Sequence, residues 1–278
     1  MTDDGKVAVI TGSTHGIGRV TARELARAGF RVVMLSRNPT LAARVTAELR
    51  QAAPGAAVDT VNCDLGALGS VRSAGAAVLG TVAGIDLLIN NAGIVSTRHR
   101  MSVDGFELTF ATNHLGPFLL TELLRGAMRP GGRIVSVASC AHLRGRLDLE
   151  TVADARARYR PVAAYNRSKL ANVMHTLALA RRVAGTGVTA NCLHPGVVAT
   201  NLLPRWLQFI KPWISRQMLS EERGAQTSLY LALSPAVAGA NGGYYDEHQR
   251  LTAPLPAATD VATQEALWSA SARWVGLA

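Results

Sequence analysis

With 278 residues, 48% of them apolar and 17% charged, the chain has a globular composition with enough apolar residues for a sizeable core, which excludes a disordered chain. The formal charge of +10 comes from arginines scattered along the sequence, with no run longer than Arg181-Arg182 and little aromatic interleaving, so a solvated basic surface is expected and no nucleic-acid partner. Three dispersed cysteines (Cys63, Cys140, Cys192) argue against a disulfide framework or a metal site, and neither a signal peptide nor an apolar stretch long enough to cross a bilayer is visible, so a cytoplasmic protein is expected.

Short β-rich runs fall at 6–11, 31–36, 57–62, 85–90, 132–139 and 187–194. Segments with helical spacing fall between them at 17–28, 40–52, 67–79, 104–128 and 163–184. Strands that alternate with helices predict βαβ units and a parallel sheet. The strands are near-continuous apolar runs, as expected when both sheet faces are covered by helices. No linker interrupts the pattern, so one doubly wound α/β domain of the Rossmann type is expected over 1–278. Segment 199–219, ATNLLPRWLQFIKPWISRQML, breaks the rhythm with aromatics and two prolines. It is expected to act as a substrate lid.

After the first strand come Thr11-Gly12-Ser13-Thr14-His15-Gly16-Ile17-Gly18, opening a helix. Glycines there allow a tight turn and a close ligand approach, and the helix N-terminus offers N–H groups to a pyrophosphate. At the end of the second strand, an NAD site usually offers a carboxylate roughly 20 residues past the glycines. Here stand Ser36 and Arg37 instead, which suit a 2′-phosphate and favour NADP(H) over NAD(H). His15 is either an assisting group or an exposed turn residue.

Tyr165-Asn166-Arg167-Ser168-Lys169 places a phenol and an ammonium four apart on a helical face. Lys169 is one of three lysines among 29 basic residues, so an ammonium in particular is needed there. Hydride transfer needs a separate proton donor for the partner oxygen. A neighbouring cation is expected to lower the phenol's pKa from about 10.

The motifs TGSTHGIG, Asn90-Asn91-Ala92-Gly93 and Tyr165-x-x-Ser168-Lys169 resemble those of the short-chain dehydrogenase/reductases, and the resemblance covers about residues 5–275. It implies that Tyr165 and Lys169 are catalytic and also touch the cofactor. Ser139 then holds the substrate oxygen, and Asn113 binds a water in a proton relay through Lys169. Gly12 to Gly18 cradle the cofactor phosphates. Asp64 and Leu65 hold the adenine ring, Asp64 being equally readable as a helix N-cap. Asn91, Ala92 and Gly93 support the cofactor, and Pro195, Gly196, Val198 and Thr200 lie near the nicotinamide.

Ser139 stands 26 residues before Tyr165, a wide spacing that, with NHLGPFLLTELL, HPGVVATNL and GGYYDEHQR, resembles the retinol-dehydrogenase-like branch. The implied activity is NADP(H)-dependent hydride transfer to or from a hydrophobic alcohol, ketone or aldehyde. A dedicated ketoreductase for a polyketide-like intermediate and a catalytically silent NADP(H)-binding regulator are the alternatives. By the same analogy, a homodimer or homotetramer pairs through the helices that carry Asn113 and Tyr165.

Overall fold

The computed structural model describes residues 5–150, 159–198 and 219–278. Eight strands form one sheet in the order β3-β2-β1-β4-β5-β6-β7-β8. The strands are β1 (Val7–Thr11), β2 (Arg31–Ser36), β3 (Val58–Asn62), β4 (Ile85–Asn90), β5 (Met128–Val137), β6 (Thr189–Leu193), β7 (Tyr244–Tyr245) and β8 (Leu251–Thr252). All neighbours pair in parallel except β7 and β8, which pair antiparallel. This is the expected doubly wound sheet of the Rossmann type.

Strand periodicity explains the layers. Successive side chains on β1 point to opposite faces. Val7 and Val9 join a core with α3 (Leu68–Thr81), α5 (Gly116–Arg125), α6 (Pro161–Val183) and α9 (Val261–Trp274). Ala8 and Ile10 join the opposite core with α1 (Gly16–Arg27), α2 (Pro39–Ala52) and α7 (Glu221–Leu233). All four β1 residues are fully buried, which is why the strand reads as an unbroken apolar run. Each large aliphatic side chain so buried contributes about 1.5–3 kcal/mol.

Local signals set several helix starts. Asn38 accepts the Leu41 N–H at 3.0 Å and Pro39 opens α2. Asp260 caps α9 by accepting the Thr263 N–H at 2.8 Å.

Two expected boundaries move. The helix expected over 104–128 is α4 (Leu108–Phe110), a π-helical stretch (Ala111–Leu115) and α5. β5 starts at Met128, ahead of Pro130-Gly131-Gly132, with a register shift against β4 between Ile85 and Leu87. It takes in the turn-forming residues because its first residue pairs with Ile85 before the apolar run begins. A short α8 (Pro256–Thr259) precedes α9.

The C-terminal helix α9 packs on α5 and α6. Trp268 lies edge-on to Phe118 (5.0 Å between centroids) and tilted against His175 (5.4 Å). The Arg182 guanidinium stacks 3.8 Å above the Trp268 ring. Among the described residues, no helix is long and apolar enough to cross a membrane.

Candidate active site

The carboxyl ends of β1, β4 and β5 open into a cleft of about 1150 Å³. It lies where the strand order switches from β1 to β4, the place where doubly wound sheets hold ligands. One end of the cleft is shaped by backbone. Gly12 and Gly16 have φ of 66° and 55°, a region that side chains rarely enter. A Cβ on Gly18 would stand 2.2 Å from the Gly12 carbonyl oxygen and 2.3 Å from Nδ2 of Asn91. Only glycine lets the β1–α1 turn close this tightly.

Asn91 donates through Nδ2 to the carbonyl oxygens of Thr11 (3.0 Å) and Gly12 (3.1 Å). The Thr11 hydroxyl accepts the backbone N–H groups of Asn91 and Ala92, each at 3.0 Å. The asparagine thereby knits the ends of β1 and β4. No side chain caps α1, because His15 Nδ1 sits 3.1 Å from the Thr14 hydroxyl instead. The first-turn N–H groups and the side-chain-free glycines fit a pyrophosphate.

Ser13 departs from the expectation of a cofactor contact. Its side chain is fully buried, does not border the cleft, and its hydroxyl has no hydrogen-bond partner among the described residues. Ser36 ends β2, and its Oγ accepts the Asn38 N–H at 3.2 Å, while Arg37 is exposed on the cleft wall. Asp64 is not a helix N-cap. It closes a turn by accepting the Gly66 N–H at 2.9 Å, while the first N–H of α3, from Leu68, goes to Asp104 at 2.8 Å. Leu65, Ala92, Pro195, Gly196 and Val198 border the cleft. Val198 also packs on Ile17. Thr200 and the expected lid lie outside the described residues, except Leu219, whose N–H bonds the Val197 carbonyl at 2.8 Å.

The other end of the cleft carries titratable groups. Helix α6 places Tyr165 and Lys169 one turn apart. Lys169 is 3% exposed. Its Nζ donates to the Val137 carbonyl at 2.8 Å and lies 5.7 Å from the centre of the Tyr165 ring. Ser139 stands two residues beyond β5 rather than at its end, as N-cap of the 3-10 turn Cys140–Arg144. Its Oγ accepts the Ala141 N–H at 3.2 Å, and Ser139 and Tyr165 both line the cleft. Ser136, by contrast, is buried within the strand.

Asn113 sits in the π-helical stretch, fully buried. Its Oδ1 accepts the Ile94 N–H at 2.8 Å, and its Nδ2 donates to the Ile94 carbonyl and to Ser168 Oγ, each at 3.0 Å. Ser168 in turn donates to the Tyr165 carbonyl at 2.8 Å. Both hydrogens of the amide are spent, so the side chain clamps the segment after β4 to α6 rather than reaching the cleft. A Cβ on Gly93 would stand 3.4 Å from Lys169 Nζ and 3.6 Å from Asn113 Oδ1. The missing side chain leaves room beside the ammonium.

A sequence model of the short chain dehydrogenases matches residues 6–209. Retinol dehydrogenase 14 of Mus musculus is 40% identical over 98% of this chain and 86% of its own length. A solved structure of an uncharacterized protein from Mycobacterium Paratuberculosis superposes with a TM-score of 0.79 at 34% identity, covering 99% of this chain and 94% of that one. A short chain dehydrogenase from Burkholderia cenocepacia, solved in complex with NADP, superposes with a TM-score of 0.72 at 26% identity, covering 87% and 96%. The chain belongs to the short-chain dehydrogenase/reductase family. Within it, this dehydrogenase falls in the retinol-dehydrogenase-like branch and is an oxidoreductase of CH–OH and C=O groups that uses a nicotinamide cofactor.

One expectation about the dehydrogenase is overturned. Burial pushes the Tyr165 phenol above its ordinary range, against a smaller downward pull from the neighbouring Ser139 hydroxyl. Burial also pushes the Lys169 ammonium down to about 8. The lysine was expected to lower the tyrosine. With Nζ bonded to Val137, the ammonium does not offset the loss of water around the phenol.

Two contributors had no assigned role in the sequence. Ser168 relays Asn113 to the tyrosine's own backbone, and the Thr11 hydroxyl holds two N–H groups of the NNAG turn. Their signal was present, because each stands inside a quoted motif.

Proposed function

We propose that this dehydrogenase transfers hydride between NADP(H) and a lipophilic alcohol, ketone or aldehyde, with Tyr165 as general acid/base. The observation that carries the reading is the meeting of Ser139, Tyr165 and Lys169 at the far end of the cleft that starts at the glycine cradle. The bound nicotinamide supplies or accepts the hydride. The chain's own residues handle the proton and the oxygen. Ser139 Oγ accepts from Ala141, which leaves its hydrogen to be donated to a carbonyl oxygen. A phenol held protonated by burial suits proton delivery during reduction, and Lys169 stays an ammonium below about pH 8.

Exposed Arg37, which follows Ser36 where an NAD site usually offers a carboxylate, supports the phosphorylated cofactor. Val162 and Val197, exposed at the margin of the cleft, support an apolar substrate. A homodimer or homotetramer would have to form on surface that α9 leaves open, since α9 covers part of α5 and α6.

The test is Tyr165→Phe. Turnover is expected to fall about 10²–10⁴-fold, the usual share of general acid/base catalysis. NADPH affinity, read from nicotinamide fluorescence, is expected to hold. Near-normal turnover would remove Tyr165 from the mechanism.

A further inference from the structure

The 3-10 turn that begins after Ser139 carries His142, whose side chain is fully buried. Its Nδ1 lies 2.7 Å from the Ser139 carbonyl oxygen. Its Nε2 lies 3.1 Å from the backbone nitrogen of Leu255, between β8 and α8. A carbonyl oxygen only accepts and a backbone N–H only donates. Nδ1 therefore carries the hydrogen and Nε2 holds a lone pair, which defines one neutral tautomer. The Ser139 carbonyl also accepts the backbone N–H of His142 at 3.1 Å. Two donors from one residue thus grip the peptide group that carries the hydroxyl of the site. The far side of the ring is clipped to a segment more than a hundred residues away.

We propose that His142 is a positioning residue for Ser139, held by Leu255 in the Nδ1–H form, and that turnover requires this ring to stay uncharged. The inference rests on the reading of Ser139 as the substrate-oxygen donor. A proton on Nε2 would point at the Leu255 N–H, donor against donor, and would break the clip. Three groups face the ring from the elements packed around it. Tyr244 of β7 meets it edge-on at 4.7 Å. His194, beyond β6, faces it and is itself paired with Glu247 at 2.9 Å. Cys140 lies on the same turn. Burial pushes the ring below the ordinary histidine range, outweighing the upward pull of the Ser139 bond, with a smaller downward push from His194.

Two substitutions test the clip. His142→Phe keeps the bulk and the aromatic contact but removes both ring bonds. Leu255→Pro replaces the N–H donor to Nε2 with a ring methylene, which pushes the imidazole off its seat, and trims a side chain packed on the core, while φ of −51° and ψ of 132° there already suit proline before Pro256. Turnover is measured with p-nitrobenzaldehyde and NADPH or NADH, whichever supports it, between about pH 5 and 9. Both variants are expected to lose about tenfold or more in kcat, since small misplacements at a reacting centre cost that much, with cofactor affinity retained. In Leu255→Pro the acidic limb is expected to move to higher pH, because the displaced ring no longer meets a fixed donor at Nε2 and can take a proton there.

Nitrogen-15 spectra of histidine-labelled protein read the ring directly, whether or not the aldehyde is turned over. The wild-type His142 signal, assigned by its loss in His142→Phe, should stay in the neutral Nδ1–H form across the range and titrate in Leu255→Pro. Wild-type kcat in both variants, or a titrating or Nε2–H ring in the wild type, overturns the proposal. If His142→Phe does not fold, Leu255→Pro and the spectra carry the test. Ser139→Ala in parallel separates the two levels. Retained turnover there removes the parent reading, whereas an inactive Ser139→Ala beside normal His142→Phe and Leu255→Pro removes only the role of His142.

Discussion

The two ends of the cleft are built on opposite principles. At the glycine cradle the site is made of missing atoms: Gly12, Gly16 and Gly18 leave backbone and helix N–H groups open, and Asn91 and Thr11 satisfy the polar groups behind them. At the Ser139–Tyr165–Lys169 end the site is made of polar side chains, Lys169 buried and Ser139 and Tyr165 half-buried, and burial shifts both the phenol and the ammonium toward their uncharged forms. The first end tolerates no added atom. The second carries an electrostatic strain that folding must overcome, and that strain sets its chemistry.

Substitutions at each end should therefore have opposite signs on stability. Gly18→Ala has the largest expected effect. The new methyl meets the Gly12 carbonyl and the Asn91 amide well inside contact distance, and the overpacking should cost about 3 kcal/mol or more and abolish tight cofactor binding. Calorimetry with NADPH reads both, and a stable variant with normal affinity would break the comparison at this end.

Lys169→Met should go the other way, losing turnover while gaining stability at pH 7. The folded-state value of about 8 lies below the ordinary 10.5, so the unfolded chain binds more protons between these values and wild-type stability rises with pH across that window. The gain from removing the charge, net of the lost bond to Val137, is on the order of 2 kcal/mol. It should be full below pH 8 and close as pH approaches 10.5. Denaturant titrations at a series of pH values check this, and a gap that stays constant or widens contradicts it.

Arg37→Ala sharpens the cradle's ligand preference. NADPH affinity should fall about tenfold or more, worth ~1.4 kcal/mol, with NADH little changed. Equal losses for both cofactors would show that Arg37 does not read the 2′-phosphate. The smallest effect belongs to Glu265→Gln, remote from both ends. Arg182 and Arg181 hold this carboxyl down at about 2, but the groups are largely solvated. The expected loss is below ~1 kcal/mol and shrinks with salt. A larger loss in a melting experiment would mark α9 as a main support of α6.

Much of this was legible in the residues. KVAVIT, RVVMLS and IDLLIN announced strands buried on both faces. TGSTHGIG announced a tight turn into a helix, and NNAG marked residues at the cofactor cleft. The register of β5 was not legible, because its first residue pairs across the sheet with Ile85 ahead of the apolar run. Nor was the π-helical stretch, whose Asn113 is held by Ile94 and Ser168 from two other elements.

By itself the sequence determined the order of strands and helices, the glycine cradle, and the presence of a phenol and an ammonium one helical turn apart. These follow from local periodicity, from backbone freedom and from spacing along one helix. Only the tertiary structure decided which way the phenol's proton affinity moves, how α9 covers α5 and α6, and that His142 reaches Leu255. Desolvation and hydrogen-bond direction are sums over elements distant in the chain, and no local pattern encodes such a sum.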